Sequence, residues 1–418
     1  MSRARAAVTT LVALACAVAG TAAAGVAVSL VSYLSARPEL RDGQAVTAAP
    51  LLEMLSVNAW GLNAPGIKDA RAHVSGWGTL GLLDLPRRGS VAGDVQLAFV
   101  EGRLFGERLR VVAGRQLVGG GAARFLQLDG LLAEYLLPRR LRLAAWGGLP
   151  VSARFGVRQG DAAAGGRVAW APSWDSEVGA SYAFVLDRGI TARHEAAVDG
   201  RWLPTNAIRV QGHALFSLAE ARLVEAELAP YWRIWPTLEV AVSARRVAQD
   251  LLLPRSSILS VFAEPDRDEV GAIAIWEPRP ELAVTADARA AWLSGVPGSE
   301  AGARLVARTA PGTLIVGELR WLGALNRGYL RARLAASRRL TQKLVLTADA
   351  DAFWRDRPVN GVNHSAVASA TATWTFAPEW LAVAELGAGT TPEMAAEARA
   401  MVKLAWRWNV SASDRSAP

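Results

Sequence analysis

The chain has 418 residues, 51% of them hydrophobic, and a formal net charge of +8 at pH 7. No apolar run after residue 40 is long enough for a membrane-crossing helix, which takes about 20 residues; the apolar residues are dispersed instead, mostly at every second position. Basic and acidic residues alternate without forming one basic stripe, which argues against nucleic acid as the partner.

The N-terminus reads as an export signal. Arg3 and Arg5 precede an uncharged run, and Ala22-Ala23-Ala24 offers an A-x-A cleavage site. This is the pattern of a secretory signal peptide over 1–24, cleaved on export. The run continues uncharged to Ala36, which leaves an uncleaved anchor as the competing reading. Cys16, the only cysteine, follows Ala13-Leu14-Ala15, a poor lipid-attachment match, and is read as an ordinary signal residue. The mature chain then has no disulfide and no cysteine metal site. Residues 25–51, with Pro38 and Pro50, read as a linker.

From residue 52 the pattern becomes strict alternation. In 281–292, Leu282, Val284, Ala286, Ala288, Ala290 and Trp292 share one face, and Thr285, Asp287 and Arg289 the other. Segments 196–202, 343–354 and 366–376 repeat the arrangement. Successive strand residues point to opposite sides of a sheet, whereas a helix would mix the two classes around its circumference. Compact breaks recur at Pro138, Pro172, Pro204, Pro236, Pro278–Pro280, Pro311, Arg339–Thr341 and Pro378. Between them lie other, often longer breaks, at 148–166, 187–191, 218–221, 250–268, 294–300, 325–328, 355–363 and 387–395. Short turns at one end and longer loops at the other are the habit of outer-membrane barrels, whose short turns face the periplasm.

The fold class expected is therefore all-β: a transmembrane antiparallel up-and-down β-barrel over 52–408, followed by a periplasmic tail at 409–418. Sixteen strands fit after Pro138 and four before it, with 54–62 as one more candidate. The estimate is about 20 strands, within about 18 to 22. Such a chain belongs in the outer membrane of a Gram-negative bacterium, where closure pairs every backbone group between strands. Tryptophans beside the compact turns (Trp202, Trp235, Trp276, Trp374, Trp380) and beside the longer loops (Trp292, Trp321, Trp354) fit interfacial girdles.

By this parity the interior carries Arg201, Arg209, Asp287, Arg289, Arg320, Arg331, Arg333, Asp349, Asp351, Arg399 and Arg407, the candidate pore-lining residues. Two readings stay open for them: a water-filled channel whose arginines favour anionic solutes, or cross-strand salt bridges that stabilise the wall. Lys68, Lys343 and Lys403 are the only lysines, so arginine dominates the positive charge. That bias follows from a GC-rich coding composition or from a need to hold anions, phosphate or lipopolysaccharide in guanidinium forks. The apolar loop 250–268 is the expected plug or constriction, with a small rim helix as its alternative; the Gly- and Ala-rich loop 148–166 is expected to be mobile. No cofactor is implied. His73, His194, His213 and His364 lack metal-ligand spacing, and no hydrolase, zinc-protease or phosphate-loop motif occurs. Gly119-Gly120-Gly121 reads as a loop.

The stretch Val111-Val112-Ala113-Gly114-Arg115-Gln116, followed by a Gly-rich loop and Leu128-Asp129-Gly130, resembles a recurring stretch of Gram-negative porin-like proteins. The end Trp406-Arg407-Trp408 resembles the aromatic-ending signal read by the barrel-assembly machinery, although Lys403 stands where glycine is usual. The resemblance implies passive diffusion of small polar solutes, often by an oligomer, in a wall that meets outer-membrane lipid and lipopolysaccharide. The alternatives are a non-conducting scaffold barrel and a barrel phospholipase with an outward Ser–His pair.

Overall fold

The computed structural model describes residues 25–41, 44–62, 66–83, 91–151, 161–187, 189–252, 266–293, 295–324 and 327–411. The first six strands are β1 (Gly25–Arg41), β2 (Gln44–Trp60), β3 (Lys68–Leu83), β4 (Val91–Leu104), β5 (Leu109–Gly119) and β6 (Phe125–Leu136). Eight more follow: β7 (Leu141–Pro150), β8 (Ala162–Trp170), β9 (Glu177–Asp187), β10 (Ile190–Thr205), β11 (Ile208–Ser217), β12 (Arg222–Trp235), β13 (Leu238–Val247) and β14 (Arg267–Arg279). The last are β15 (Leu282–Leu293), β16 (Val296–Ala310), β17 (Thr313–Ala324), β18 (Arg327–Arg339), β19 (Leu344–Val359), β20 (Val362–Ala377), β21 (Trp380–Thr390) and β22 (Glu397–Ser411). One helical turn, α1 (Gln249–Leu252), follows β13.

All 22 strands belong to one sheet. Each pairs antiparallel with its sequence neighbours, and β1 closes the ring on β22, with Gly25 opposite Ser411 and Ala36 opposite Ala400. A closed sheet leaves no edge, which is what hydrocarbon demands of backbone N–H and C=O groups. The rim that carries Gly25 and Ser411 is called here the terminal rim, and the opposite one the far rim.

The alternation read from the sequence becomes two faces. Val198, Leu228, Leu319, Leu334, Leu386 and Val402 are exposed on the outside. Glu318, Arg320, Arg331, Arg333, Glu385 and Arg399 of the same strands face in, where they pair with one another or with neighbouring strands. Exposed Trp170, Trp202, Trp232, Trp276, Trp374 and Trp408 mark the terminal rim, and Trp292, Trp321 and Trp354 lie toward the far rim. An apolar outer band between two aromatic girdles around a polar interior is the architecture of a transmembrane β-barrel.

Four boundaries differ from the sequence reading. Residues 25–51 are not a linker: they form β1 and the first part of β2. Their prolines sit where a ladder tolerates them. Pro38 lies beyond Ala36, the last residue of β1 paired to β22, and Pro50 lies at a register shift against β3. Strand β22 runs on to Ser411, into the expected tail. The breaks at 294–300 and 355–363 contract, because β16 starts at Val296 and β19 runs to Val359. Longer far-rim connections remain between β3 and β4, β5 and β6, β7 and β8, β13 and β14, and β21 and β22. The signal peptide, most of loop 148–166 and most of loop 250–268 lie outside the described residues.

Candidate functional site

A barrel of this size is too wide for side chains alone to fill. Part of its lumen is filled by the connection between β5 and β6. Gly119–Arg124 turns inward and forms one 3-10 turn, Gly121–Ala123, against β9, β10 and β11. The composition explains the path. Gly120 and Gly121 adopt positive φ (89° and 52°), and a Cβ on Gly121 would collide with the Ser181 side chain. Ala122 and Ala123 are small enough to vanish into an apolar cluster with Leu128, Val185, Leu215 and Val224.

Polar contacts latch this loop. The Ala122 N–H donates to Ser181 Oγ (2.8 Å), and Arg193 Nη2 donates to the Ala122 carbonyl (2.6 Å). Glu195, only 3% exposed, accepts from Arg124 Nη2 (2.7 Å) and Arg193 Nη2 (2.6 Å). Arg124 Nη1 also reaches the Leu252 carbonyl (3.0 Å) on α1, whose Leu251 and Leu252 pack on the same cluster. Burial lowers the Arg124 pKa from its ordinary value, and the Glu195 charge works against that. A buried carboxylate between two guanidinium groups is costly to break, because removing either side strands a charge. Beside the loop lies a cavity of about 600 Å³, lined by Phe99, Arg110, Gln116, Trp146 and Arg167 among others.

The rest of the wall holds its charge in pairs. Arg331 forms a fork on Asp351 (2.6 and 2.9 Å) and lies 3.7 Å from Glu318. Arg320 reaches Asp287 (3.1 Å) and also bonds Glu300, and Arg333 bonds Asp349 (2.8 Å). Asp287, Glu300, Glu318, Arg320, Arg331 and Asp351, on β15 to β19, form one linked network, and Arg333 with Asp349 stands beside it as a pair. Arg209 pairs with Glu239 (3.4 Å) and stacks over the Tyr231 ring (4.1 Å). Arg201 bonds Asp175 at the terminal rim, Arg289 lies 3.7 Å from Glu269, and Arg399 lies 3.5 Å from Glu385. Arg407, exposed near the terminal rim, has no ion-pair partner among the described residues. The candidate pore-lining residues therefore separate into one interacting belt, several isolated pairs and one free cation.

Sequence reading missed the latch. Its only trace is the glycine run followed by alanines, together with Arg193 and Glu195 on one face of β10. It also missed a grouping of His213, Glu225 and Glu227, whose ligand atoms all lie within 4.8 Å of one another across β11 and β12. Arg245 is shared between these carboxylates, at 2.6 Å from Glu225 and 3.8 Å from Glu227. No Ser–His pair forms at His364: it lies opposite Trp354 on the outer face, while Ser365 turns inward and accepts from Arg355 (3.0 Å).

The porin-like stretch folds into a cross-strand unit. Gly114 faces Gly130, Arg115 faces Asp129, and Gln116 faces Leu128.

No protein-family model matches the chain, and no curated protein does. Solved structures with a similar overall fold include OccAB4 of Acinetobacter baumannii, 8% identical with a TM-score of 0.48, covering 92% of this chain and 98% of that one. OccK2 (OpdF) of Pseudomonas aeruginosa gives the same values. The translocation pore of the P pilus usher PapC is 10% identical, with a TM-score of 0.45 and coverage of 93% and 100%. What the chain's own geometry defines is a closed antiparallel β-barrel of the outer-membrane type, with a lumen partly closed by its own loop.

Proposed function

We propose that the chain is an outer-membrane channel for passive diffusion of small hydrophilic solutes, narrowed by the loop Gly119–Arg124. The observation that carries this reading is the latched loop inside a lumen whose remaining wall is polar. A water-filled path runs along the β13 to β22 wall, where hydroxyl groups of Ser337, Thr347, Ser369 and Thr371 stand among the paired charges. The pairing supports weak selectivity by charge. Arg407, without an ion-pair partner among the described residues, tilts it modestly toward anions. In this reading the chain is exported, inserted by the barrel-assembly machinery, and surrounded by outer-membrane lipid and lipopolysaccharide. It has no enzymatic role.

Planar-bilayer recording of the purified protein tests the proposal. Discrete conductance steps are expected, with a small anion-directed reversal potential in a salt gradient. The apolar cluster inside the lumen favours one second reading, a non-conducting scaffold barrel. That reading expects no steps and a stable co-purifying partner.

A further inference from the structure

Among the described residues the exterior carries several polar side chains. Arg115 bonds Asp129 and lies 3.7 Å from Asp94, Arg246 pairs with Asp268 toward the far rim, and His364 lies opposite Trp354 there. Glu53 on β2 stands apart from these. Its cross-strand neighbours place it on the outer face: Leu51 and Leu55 flank it on β2, and exposed Leu30, Leu34 and Leu80 surround it. The opposite face carries Tyr33, stacked under Lys403 (5.0 Å), and so belongs to the lumen. Glu53 is level with Leu404, while Trp408, farther along the same face of β22, marks the terminal girdle. This height lies within the hydrocarbon band. The carboxylate accepts one hydrogen bond, from Ser32 Oγ (2.6 Å), and no cation faces it among the described residues.

The row containing Glu53 is unusual in shape. Register carries it across the wall as Leu404, Ser32, Glu53, Gly78 and Gly93. One half is polar and the other half is bare backbone. A Cβ on Gly78 would have only the Ala92 carbonyl near it, at 3.8 Å, so the wall is hollow there. Small residues let membrane segments approach closely, and polar side chains bind across such contacts. A lipid chain offers a carboxylate no hydrogen-bond donor.

We propose that this row is the contact surface of a two-fold symmetric dimer with a second copy of the chain. Both copies insert in the same direction, so the two-fold axis runs along the membrane normal and the facing rows run in opposite senses. With the axis between Glu53 and Gly78, each Glu53 enters the hollow at the partner's Gly78, and each Ser32 meets the partner's Gly93. The polar half of one row thus fills the bare half of the other. The proposal does not depend on conduction.

The test uses the full chain reconstituted in phospholipid bilayers, with subunits counted by single-molecule photobleaching. The unaltered protein is expected to be a dimer. Gly78→Leu, which fills the hollow, is expected to give monomers, whereas Leu228→Ala on the distant β12 stays dimeric. In a Cys16→Ser background, Glu53→Cys is expected to give dimers with a short bismaleimide, and Leu228→Cys is not. A monomer for the unaltered chain, a dimer that survives Gly78→Leu, or equal cross-linking from both cysteine positions would overturn the proposal. If Gly78→Leu fails to fold, the cross-linking pair decides.

Discussion

Arg115 on β5 and Asp129 on β6 stand directly opposite one another, joined by two hydrogen bonds of 2.6 and 2.7 Å. A third nitrogen of the same guanidinium, Nη1, donates to the Val95 carbonyl on β4 (2.9 Å). Pairing between β4 and β5 stops at Ala98 and Arg115, so Val95 lies just past the end of that ladder. Arg115 therefore ties three strands together where the backbone ladder between two of them ends.

Arg115→Leu should leave the Asp129 carboxylate and the Val95 carbonyl without this donor. A lost partner of this kind costs about 1–3 kcal/mol. The folded, fast-migrating band in detergent gels should disappear at a lower temperature. Replacing both residues, Arg115→Leu with Asp129→Leu, should cost less than Arg115→Leu alone, because Asp129 is then not left without its partner. An unchanged melting profile for Arg115→Leu would show that the strands hold without it.

Gly114, one residue earlier, has φ +116°, and a Cβ there would collide with the Ala98 carbonyl. Gly114→Ala should therefore destabilise the barrel more than Ala113→Gly at the neighbouring outward position. Comparing the fraction of heat-modifiable protein after refolding checks this. Equal yields would mean that the wall absorbs the methyl group.

Glu195→Ala should unlatch the lumenal loop, since it strands both Arg124 and Arg193 beside a buried cluster. The expected record is a channel with larger mean conductance and more frequent current fluctuation, while the β-sheet circular dichroism stays unchanged. A quiet trace of unchanged size would separate Glu195 from loop position.

Asp351→Asn removes one negative charge from the β15–β19 network and leaves Arg331 with only the more distant Glu318. The lumen gains one net positive charge, so the reversal potential in a potassium chloride gradient should move in the anion-selective direction. Arg331→Gln should move it the other way. A shift of the same sign from both variants would contradict a conducting path along this wall.

Much of the wall is legible in the sequence because burial in lipid enforces period two. The segments read at 281–292 and 366–376 fall within one residue of β15 or inside β20. The sixteen strands counted after Pro138 are β7 to β22. β1 was hidden because its inward face is itself weakly polar, with Ser29, Val31, Tyr33 and Ser35, so the two faces differ little. The latch was hidden for another reason. Its partners Ser181, Arg193 and Glu195 lie several strands away, and local pattern carries no information about which loops turn inward. Ion pairing of the inner arginines was equally out of reach, since it depends on register between strands.

Whether the loop Gly119–Arg124 narrows the conducting path is read directly from single-channel conductance. Single-channel conductance should be measured for the unaltered protein and for a variant in which residues 120–123 are replaced by one glycine, both verified as heat-modifiable barrels. Discrete steps in the first and clearly larger steps in the second are expected. No steps in either, or steps of equal size in both, would contradict that narrowing.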